Sequence, residues 1–410
     1  MLDLRVQIAT NERGAEAVRG LIRQMGLAAV LRSVDDVIEY TRRRLQNRIA
    51  ELKRGSYSFE SHLDDDGMGG IVRLLPDHIR RLSNGARHDI RVVRTDGLAP
   101  TDLDCDVAVV HFTANWAKLP FLVALRAIMG RRRIVVVEHS YTESYERECV
   151  RRPWRFHTML QLAYAMADRV VAVSMTQGEW LRRTRTVRAD ALRVIPQGHD
   201  VSKLFGLEPP ETSHTAPLRL VAYGRYARQK GFDVLIDAMR LIDPAIANLT
   251  LCGKGPDGEM LQDRAADLPH VNVYGSVSDV SELLVGFDAV VVPSRWEAFG
   301  LVAAEARAAA RPVIASRVDG LIDQIDEQNG ILVDPNDPIA LATAIRTLRA
   351  RDIVQLLDGG VAEPALGHID DTLERQIVRW LVDEPQIGQR IADFRALVEP
   401  RAADHAIGQA

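Results

Sequence analysis

LRLVAYGRYARQKGFDVLIDAMRLIDPAIANLTLCG, residues 218–253, reads in order as strand, basic loop, helix and strand. Both strand runs are largely apolar and rich in branched residues, the composition of a strand covered on both faces. The intervening GFDVLIDAMRLI carries apolar residues at helical spacing. Outward toward the C-terminus the alternation continues through GEMLQDRAADL, VNVYG, SDVSELLVGF, DAVVVPS, GLVAAEARAAA, PVIAS and IALATAIRTLRA. Buried strands joined by helices predict an α/β, doubly wound parallel sheet, here placed at residues 216–362.

Toward the N-terminus the same pattern recurs. HDIRVVRT, DVAVVHF, RIVVVEH and DRVVAVS read as buried strands, and IVRLLPDHIRRL, LPFLVALRAIMG and WRFHTMLQLAYAMA as helices between them. SYSFESHL, which alternates and runs into DDDGMGG, is the expected first strand, giving a second Rossmann-like domain over residues 61–207. EPPETSHTAP, residues 208–217, has the composition of an exposed linker. Two doubly wound domains set a cleft between the carboxyl ends of their sheets. Residues 1–60 fit neither domain and are expected to form a helical extension. Its segment 37–54 is amphipathic with a basic face including Arg42, Arg43, Arg44 and Arg48. Residues 363–410 are expected to be C-terminal helices that cross back to the first domain.

With 410 residues, 47% of them hydrophobic and 26% charged, the chain has core enough for two domains and none of the bias of disordered proteins. Its three cysteines, Cys105, Cys149 and Cys252, are odd in number and widely spaced, which disfavours a disulfide framework. The opening MLDLRVQIATNERG lacks the basic and apolar regions of a signal peptide, and no apolar run reaches membrane-spanning length. A cytoplasmic protein, peripheral at the inner face of the membrane, is therefore expected. The net charge of −4 conceals an asymmetry: residues 1–200 carry 32 Lys+Arg against 25 Asp+Glu, and residues 201–410 carry 20 against 31. A basic first half suits an anionic surface, with Arg131, Arg132 and Arg133 as further candidates for the contact. Nothing in the charge pattern calls for nucleic acid.

The densest chemical signal is VVVPSRWEAFGLVAAEA, residues 290–306. A buried strand ends at Pro293-Ser294, a loop carries Glu297, and Gly300 opens a helix containing Glu305. The amides of Gly300, Leu301 and Val302 then form a helix N-terminus suited to phosphate. GRYARQKG, residues 224–231, brings Arg225 and Lys230 to the end of this domain's first strand, where a guanidinium fork and an ammonium can neutralise a diphosphate. Both cations are expected at an open sheet edge. Two other patterns point elsewhere. Gly253–Gly258 satisfies GxGxxG but follows the second strand, against dinucleotide binding. Asp64-Asp65-Asp66 contains Asp-x-Asp but precedes a glycine-rich loop, so no metal site is assigned.

Residues 218–348 resemble the donor domain of glycosyltransferase family 4, retaining enzymes of the GT-B fold. The resemblance is carried by Arg225 with Lys230, the GKG turn of Gly253 and Gly255, and the Glu-x7-Glu element of Glu297 and Glu305. It implies that Arg225 and Lys230 hold the donor diphosphate and that the Gly300, Leu301 and Val302 amides cap its β-phosphate. It further implies that Glu305 takes the ribose and Glu297 the transferring sugar. GMGG, residues 67–70, is similar to the family's first glycine-rich loop, placing Gly69 and Gly70 near donor phosphate or acceptor. His139 stands where the family carries a catalytic-site histidine, with His111 ending the neighbouring strand. RVIPQGHD, residues 193–200, is similar to the interdomain segment, with Gln197 replacing the usual Asn. The resemblance implies a hexosyltransferase that needs no cofactor or metal and takes a nucleotide-diphosphate sugar and a saccharide or lipid-linked acceptor. A phosphorylase-type relative and a silent sugar-nucleotide-binding scaffold are the alternatives.

Overall fold

A computed structural model describes residues 105–197 and 216–350, the backbone of 58–64 and 87–93, and Thr95, Leu103, Val201, 203–205 and 207–210. The predicted extension lies outside the described residues, except that Ser58–Glu60 begin the first strand. The 37–54 helix, the GMGG loop with Gly69 and Gly70, and residues 363–410 likewise lie outside them.

Two six-stranded parallel sheets make up the described fold, as the alternation of buried runs predicts. The first contains β1 (Ser58–Asp64), β2 (Arg87–Val93), β3 (Val107–Val110), β4 (Arg133–Glu138), β5 (Arg169–Ala172) and β6 (Leu192–Val194). The helices that follow β3 are α1 (Leu119–Met129), α2 (Glu143–Cys149), α3 (Pro153–Ala165) and α4 (Met175–Arg183). The second sheet contains β7 (Leu218–Tyr223), β8 (Ala247–Cys252), β9 (Val271–Tyr274), β10 (Ala289–Val292), β11 (Val313–Ser316) and β12 (Gly330–Val333). Its helices are α5 (Phe232–Met239), α6 (Gly258–Ala265), α7 (Val280–Val285), α8 (Leu301–Ala308), α9 (Asp319–Ile322) and α10 (Pro338–Ala350). The sequence reading missed α2, α4, β6, α9 and β12, each shorter than ten residues, where a periodic signal has little room to accumulate.

Strand order locates the site. The second sheet runs β12-β11-β10-β7-β8-β9, so the chain reverses direction across the sheet between β7 and β10. The first runs β2-β1-β3-β4-β5-β6 and reverses between β1 and β3. Loops leaving the carboxyl ends of such paired strands diverge and leave a crevice where ligands bind.

Alternate residues of each strand feed different cores. Val110, Ile134, Val136, Val170 and Ala172 pack against α1, α3 and α4 around Phe121, Leu125, Leu160 and Trp180. Val107, Val109, Val135, Val137, Val171 and Val173 face the other way, in a cluster that reaches Ala298, Phe299 and Ala304 of the second domain. The segment after β10 thus packs directly against the first domain. Tyr145 of α2 meets Trp296 edge-on at 5.6 Å on the same side.

The expected exposed linker is tied down at Glu208, whose carbonyl accepts from the buried Arg311 at 2.8 Å. Arg132 is not available for an anionic surface as expected. Its guanidinium donates to the carbonyls of Leu103, Cys105, Ile128 and Met129, closing the loop ahead of β4. Arg133 is turned toward Asp168 at 3.9 Å. Among the described residues no helix is long and apolar enough to cross a membrane.

Candidate active site

At the second sheet's reversal the loops after β7 and β10 lie side by side. Gly231 adopts φ +64°, and a Cβ there would stand 2.1 Å from the Pro293 carbonyl oxygen. Only glycine lets the two loops approach this closely. The consequence is a contact between the two predicted elements: Lys230 Nζ lies 2.5 Å from Glu297 Oε2, and the Ser294 hydroxyl donates to the same oxygen at 3.2 Å. The side chains of Lys230 and Glu297 are only 19% and 13% exposed. Lys230 therefore does not stand at an open edge as expected. The close approach of β10 covers it, and it is held against Glu297. Arg225 is exposed, as expected.

The Glu297 loop is preorganised by residues the sequence reading did not single out. Arg295 forms a two-toothed ion pair with Asp233 in the first turn of α5, at 2.7 and 2.9 Å, and donates to Asn336 at 2.6 Å. Burial acts to raise the Asp233 pKa, but the Arg295 hydrogen bonds and charge outweigh it and hold the carboxyl below its ordinary value. Gln229 supplies both a carbonyl for the Arg295 amide at 2.7 Å and a side-chain donor for the Trp296 carbonyl at 3.0 Å.

Gly300 caps α8 with φ +100°, a left-handed conformation in which a Cβ would lie 2.6 Å from Leu321 Cδ2. The amides of Leu301 and Val302 then open the helix, with no carbonyl one turn back to receive them. Ala303, Ala304, Ala306 and Ala308 are buried, so α8 seats closely on the sheet and against the first domain. One turn and a half in, Glu305 Oε2 accepts from the Tyr223 hydroxyl at 2.8 Å. Burial, together with the Glu305 charge, pushes the Tyr223 pKa up, so the phenol stays a donor. Tyr223 ends β7, and a β-strand tyrosine carries no sequence signal that separates it from core.

Gly253 and Gly255 serve the same crevice by packing. A Cβ on Gly253 would stand 1.9 Å from the Gly224 oxygen, and one on Gly255 2.2 Å from the Tyr226 oxygen. Together with the Tyr226 amide's bond to the Lys254 carbonyl at 2.9 Å, they seat the segment that presents Arg225.

In the first domain, His111 and His139 end the neighbouring strands β3 and β4 and meet directly. His111 Nδ1 lies 3.1 Å from His139 Nε2, with the rings stacked 5.4 Å apart. One nitrogen must donate, and the tautomers decide which. The turn that carries His139 is fixed by Glu138, which accepts from the Ser140 amide, the Tyr141 amide and the Tyr164 hydroxyl at 2.7, 2.9 and 2.7 Å. Burial raises the Glu138 pKa, and these three donors work against that shift. No group of three or more His, Cys, Asp or Glu able to hold a metal ion occurs among the described residues.

Comparison with known proteins is consistent across both halves. Residues 70–203 match the Glycosyltransferase Family 4 model and residues 217–351 the Glycosyl transferases group 1 model. Residues 1–109 also match Hydantoinase B/oxoprolinase, but the described strands in that span, β1 to β3, belong to the same parallel sheet as β4 to β6. The D-inositol 3-phosphate glycosyltransferase of Xylanimonas cellulosilytica is 33% identical over 209 residues, covering 46% of this chain and 50% of that protein. A glycogen synthase of Mycobacterium tuberculosis is 34% identical over 167 residues, 38% of this chain and 39% of that one. The chain spans about half the length or less of these curated relatives. Among solved structures, HepE of Anabaena in complex with UDP and glucose superposes with TM-score 0.58 at 19% identity, covering 83% of this chain and 99% of that one. Sucrose-phosphate synthase of Thermosynechococcus elongatus gives 0.61 at 21% identity, covering 83% and 100%. The fold is GT-B.

Proposed function

This chain belongs to the group 1 and family 4 glycosyltransferases, and on that footing we propose that it moves a hexose from a nucleotide-diphosphate sugar to a saccharide or lipid-linked acceptor with retention of configuration. The observation that carries the proposal is the contact of Lys230 with Glu297 at the reversal point of the second sheet, where Arg225 follows β7 and the Gly300 helix end follows β10. Cation and carboxylate side by side suit the junction between a donor's diphosphate and its sugar. HepE has been solved with UDP and with UDP-glucose, which makes UDP-glucose the first donor to try. The loop around Gly275–Ser278 would set the choice of base.

In the proposed reaction the bond between the anomeric carbon and the β-phosphate oxygen breaks while the acceptor hydroxyl attacks the same face. The hydroxyl proton passes to the departing phosphate oxygen. Arg225, Lys230 and the α8 N-terminus neutralise the charge that develops there, in place of a metal ion. Glu297 orients the sugar hydroxyls, Glu305 the ribose, and His139 faces the transferring sugar from the first domain. Packing of the 298–304 segment against the first domain supports a closed site that excludes water.

Synthesis of cell-envelope polysaccharide or lipopolysaccharide is the proposed setting. The lipopolysaccharide outer core galactosyltransferase WaaB shares the fold, with TM-score 0.53 at 15% identity. On the described surface, exposed Arg151, Arg152 and Arg155 surround Trp154, which is 70% exposed, a pattern suited to an anionic membrane interface. A donor panel tests the proposal, following nucleoside diphosphate release with and without lipid extract. Acceptor-dependent release from one donor supports it. Stabilisation by inorganic phosphate with no response to any nucleotide would replace it with the phosphorylase reading.

A further inference from the structure

Two aspartates at the ends of the short helix α9, its first residue Asp319 and the capping Asp323 just after it, reach out of their own domain. Asp319 Oδ2 accepts from the Thr142 hydroxyl at 2.8 Å and Oδ1 from the Ser144 amide at 3.1 Å. Thr142 caps α2 and Ser144 is that helix's second residue, so the carboxylate sits on the open end of α2. Four residues on, Asp323 does the same at α4. Its carboxylate accepts from the Thr176 amide at 3.0 Å and from the Thr176 hydroxyl. Thr176 is the second residue of α4. A carboxylate at such an end meets both unpaired N–H groups and the positive end of the helix dipole. One turn of the second domain thereby grips two helices of the first.

The same turn holds the catalytic loop. Asp319 Oδ2 also accepts from the Glu297 amide at 3.1 Å, and the Gly320 amide donates to the Glu297 carbonyl at 3.0 Å. Gly320 lies directly under that loop, since a Cβ there would stand 2.4 Å from the Ala298 oxygen. Asp319 is 3% exposed and adopts φ +42°, a conformation rarely taken by residues other than glycine, asparagine and aspartate. A strained, buried residue persists only where its surroundings over-determine it. Here the surroundings are the Glu297 amide on its own side and Thr142 and Ser144 from the other domain.

We propose that α9 is a two-carboxylate clip coupling cleft closure to the placement of Glu297, with Asp319 as the positioning residue. The catalytic consequence rests on the donor-site role proposed above for Glu297. The mechanical coupling does not. When the domains part, Asp319 loses Thr142 and Ser144, and a carboxylate left with one protein donor draws in water and releases the Glu297 amide. Closure reverses this and sets Glu297 only when both domains are in place.

Hydrogen exchange of the full chain tests the clip at the peptide containing residues 296–300. Asp319→Gly removes the carboxylate while suiting the positive φ, and should speed exchange at Glu297 at least tenfold. The decisive variants touch the loop only through the other domain. Asp323→Ala, at an exposed position, and Thr142→Val should each speed exchange in the same peptide, and Thr142→Ser, which keeps the hydroxyl, should restore it. Fast exchange confined to Asp319→Gly, with the other two like wild type, would overturn the coupling. UDP-glucose turnover in the same variants should show a lower kcat with KM changed less than threefold. UDP titration of the wild type separates the two claims: absence of UDP binding would sink the donor-site assignment, while the exchange pattern still decides the clip.

Discussion

Replacing Lys230 by Ala probes the site and the fold at once, because the ammonium is both the expected diphosphate ligand and the partner of Glu297. With charge centres about 4 Å apart and an effective dielectric near 20, their attraction is about 4 kcal/mol before desolvation is subtracted. Stranding one member of a buried pair costs about 3–5 kcal/mol. Both side chains keep some exposure, 19% and 13%, so a loss of about 2–3 kcal/mol is expected. Thermal unfolding should fall by roughly 5–10 °C. Glu297→Ala strands the lysine instead, and the double variant should recover part of the loss, with a coupling of about 1–3 kcal/mol. Calorimetric titration with UDP then separates the partners. Lys230→Ala loses a charge-assisted contact worth about 1.5–3 kcal/mol, or roughly 10–150-fold in affinity. Glu297→Ala frees the lysine for the diphosphate, so UDP should bind as tightly as to the wild type or more tightly while turnover collapses. Strictly additive stabilities, or UDP weakened equally by both variants, would refute the shared-lysine arrangement.

Gly300→Ala forces a Cβ to within 2.6 Å of Leu321 at φ +100° and should cost more than about 1–2 kcal/mol by denaturant unfolding, with UDP affinity falling as the helix end shifts. Tyr223→Phe removes the donor to Glu305 and should lower nucleotide affinity up to about tenfold, a loss of about 1 kcal/mol, while leaving a phosphate-only ligand unaffected. Asp233 has a folded-state pKa below its unfolded value, so its contribution is present above the unfolded pKa and lost as pH falls through the folded one. Asp233→Asn should therefore lower stability at neutral pH and flatten the stability curve below about pH 4 in acid denaturation series. Turnover should survive EDTA, and complete loss restored by magnesium or manganese would revive the Asp64-Asp65-Asp66 motif.

The parts of this molecule that sequence exposes are those whose cause is local. Runs such as LTLC and VIAS are apolar because both faces of a parallel sheet are covered, and that pattern alone yields the doubly wound domains. The KG and FG steps stand out because Gly231 and Gly300 hold left-handed backbone that other residues resist. What stayed hidden depends on contacts far along the chain. Asp319 meets Thr142 across 177 residues and Tyr223 meets Glu305 across 82. An aspartate at a helix start reads as an ordinary first-turn acid until the other domain is in view. Lys230 misled for the same reason: an ammonium after a strand looks solvated until β10 is placed beside it. Arg132 likewise reads as basic surface, because bonds to four carbonyls leave no pattern in sequence.

The central claim is that the reversal point between β7 and β10 binds a nucleoside diphosphate through Arg225, Lys230 and the α8 N-terminus. Calorimetric titration of UDP into the wild type and the Arg225→Ala, Lys230→Ala double variant, with UMP alongside, tests it most directly. The wild type should bind UDP at least tenfold more tightly than UMP, and the double variant should lose that preference while still unfolding cooperatively. Equal UDP affinity in a folded double variant would contradict the claim and move the donor site elsewhere in the cleft.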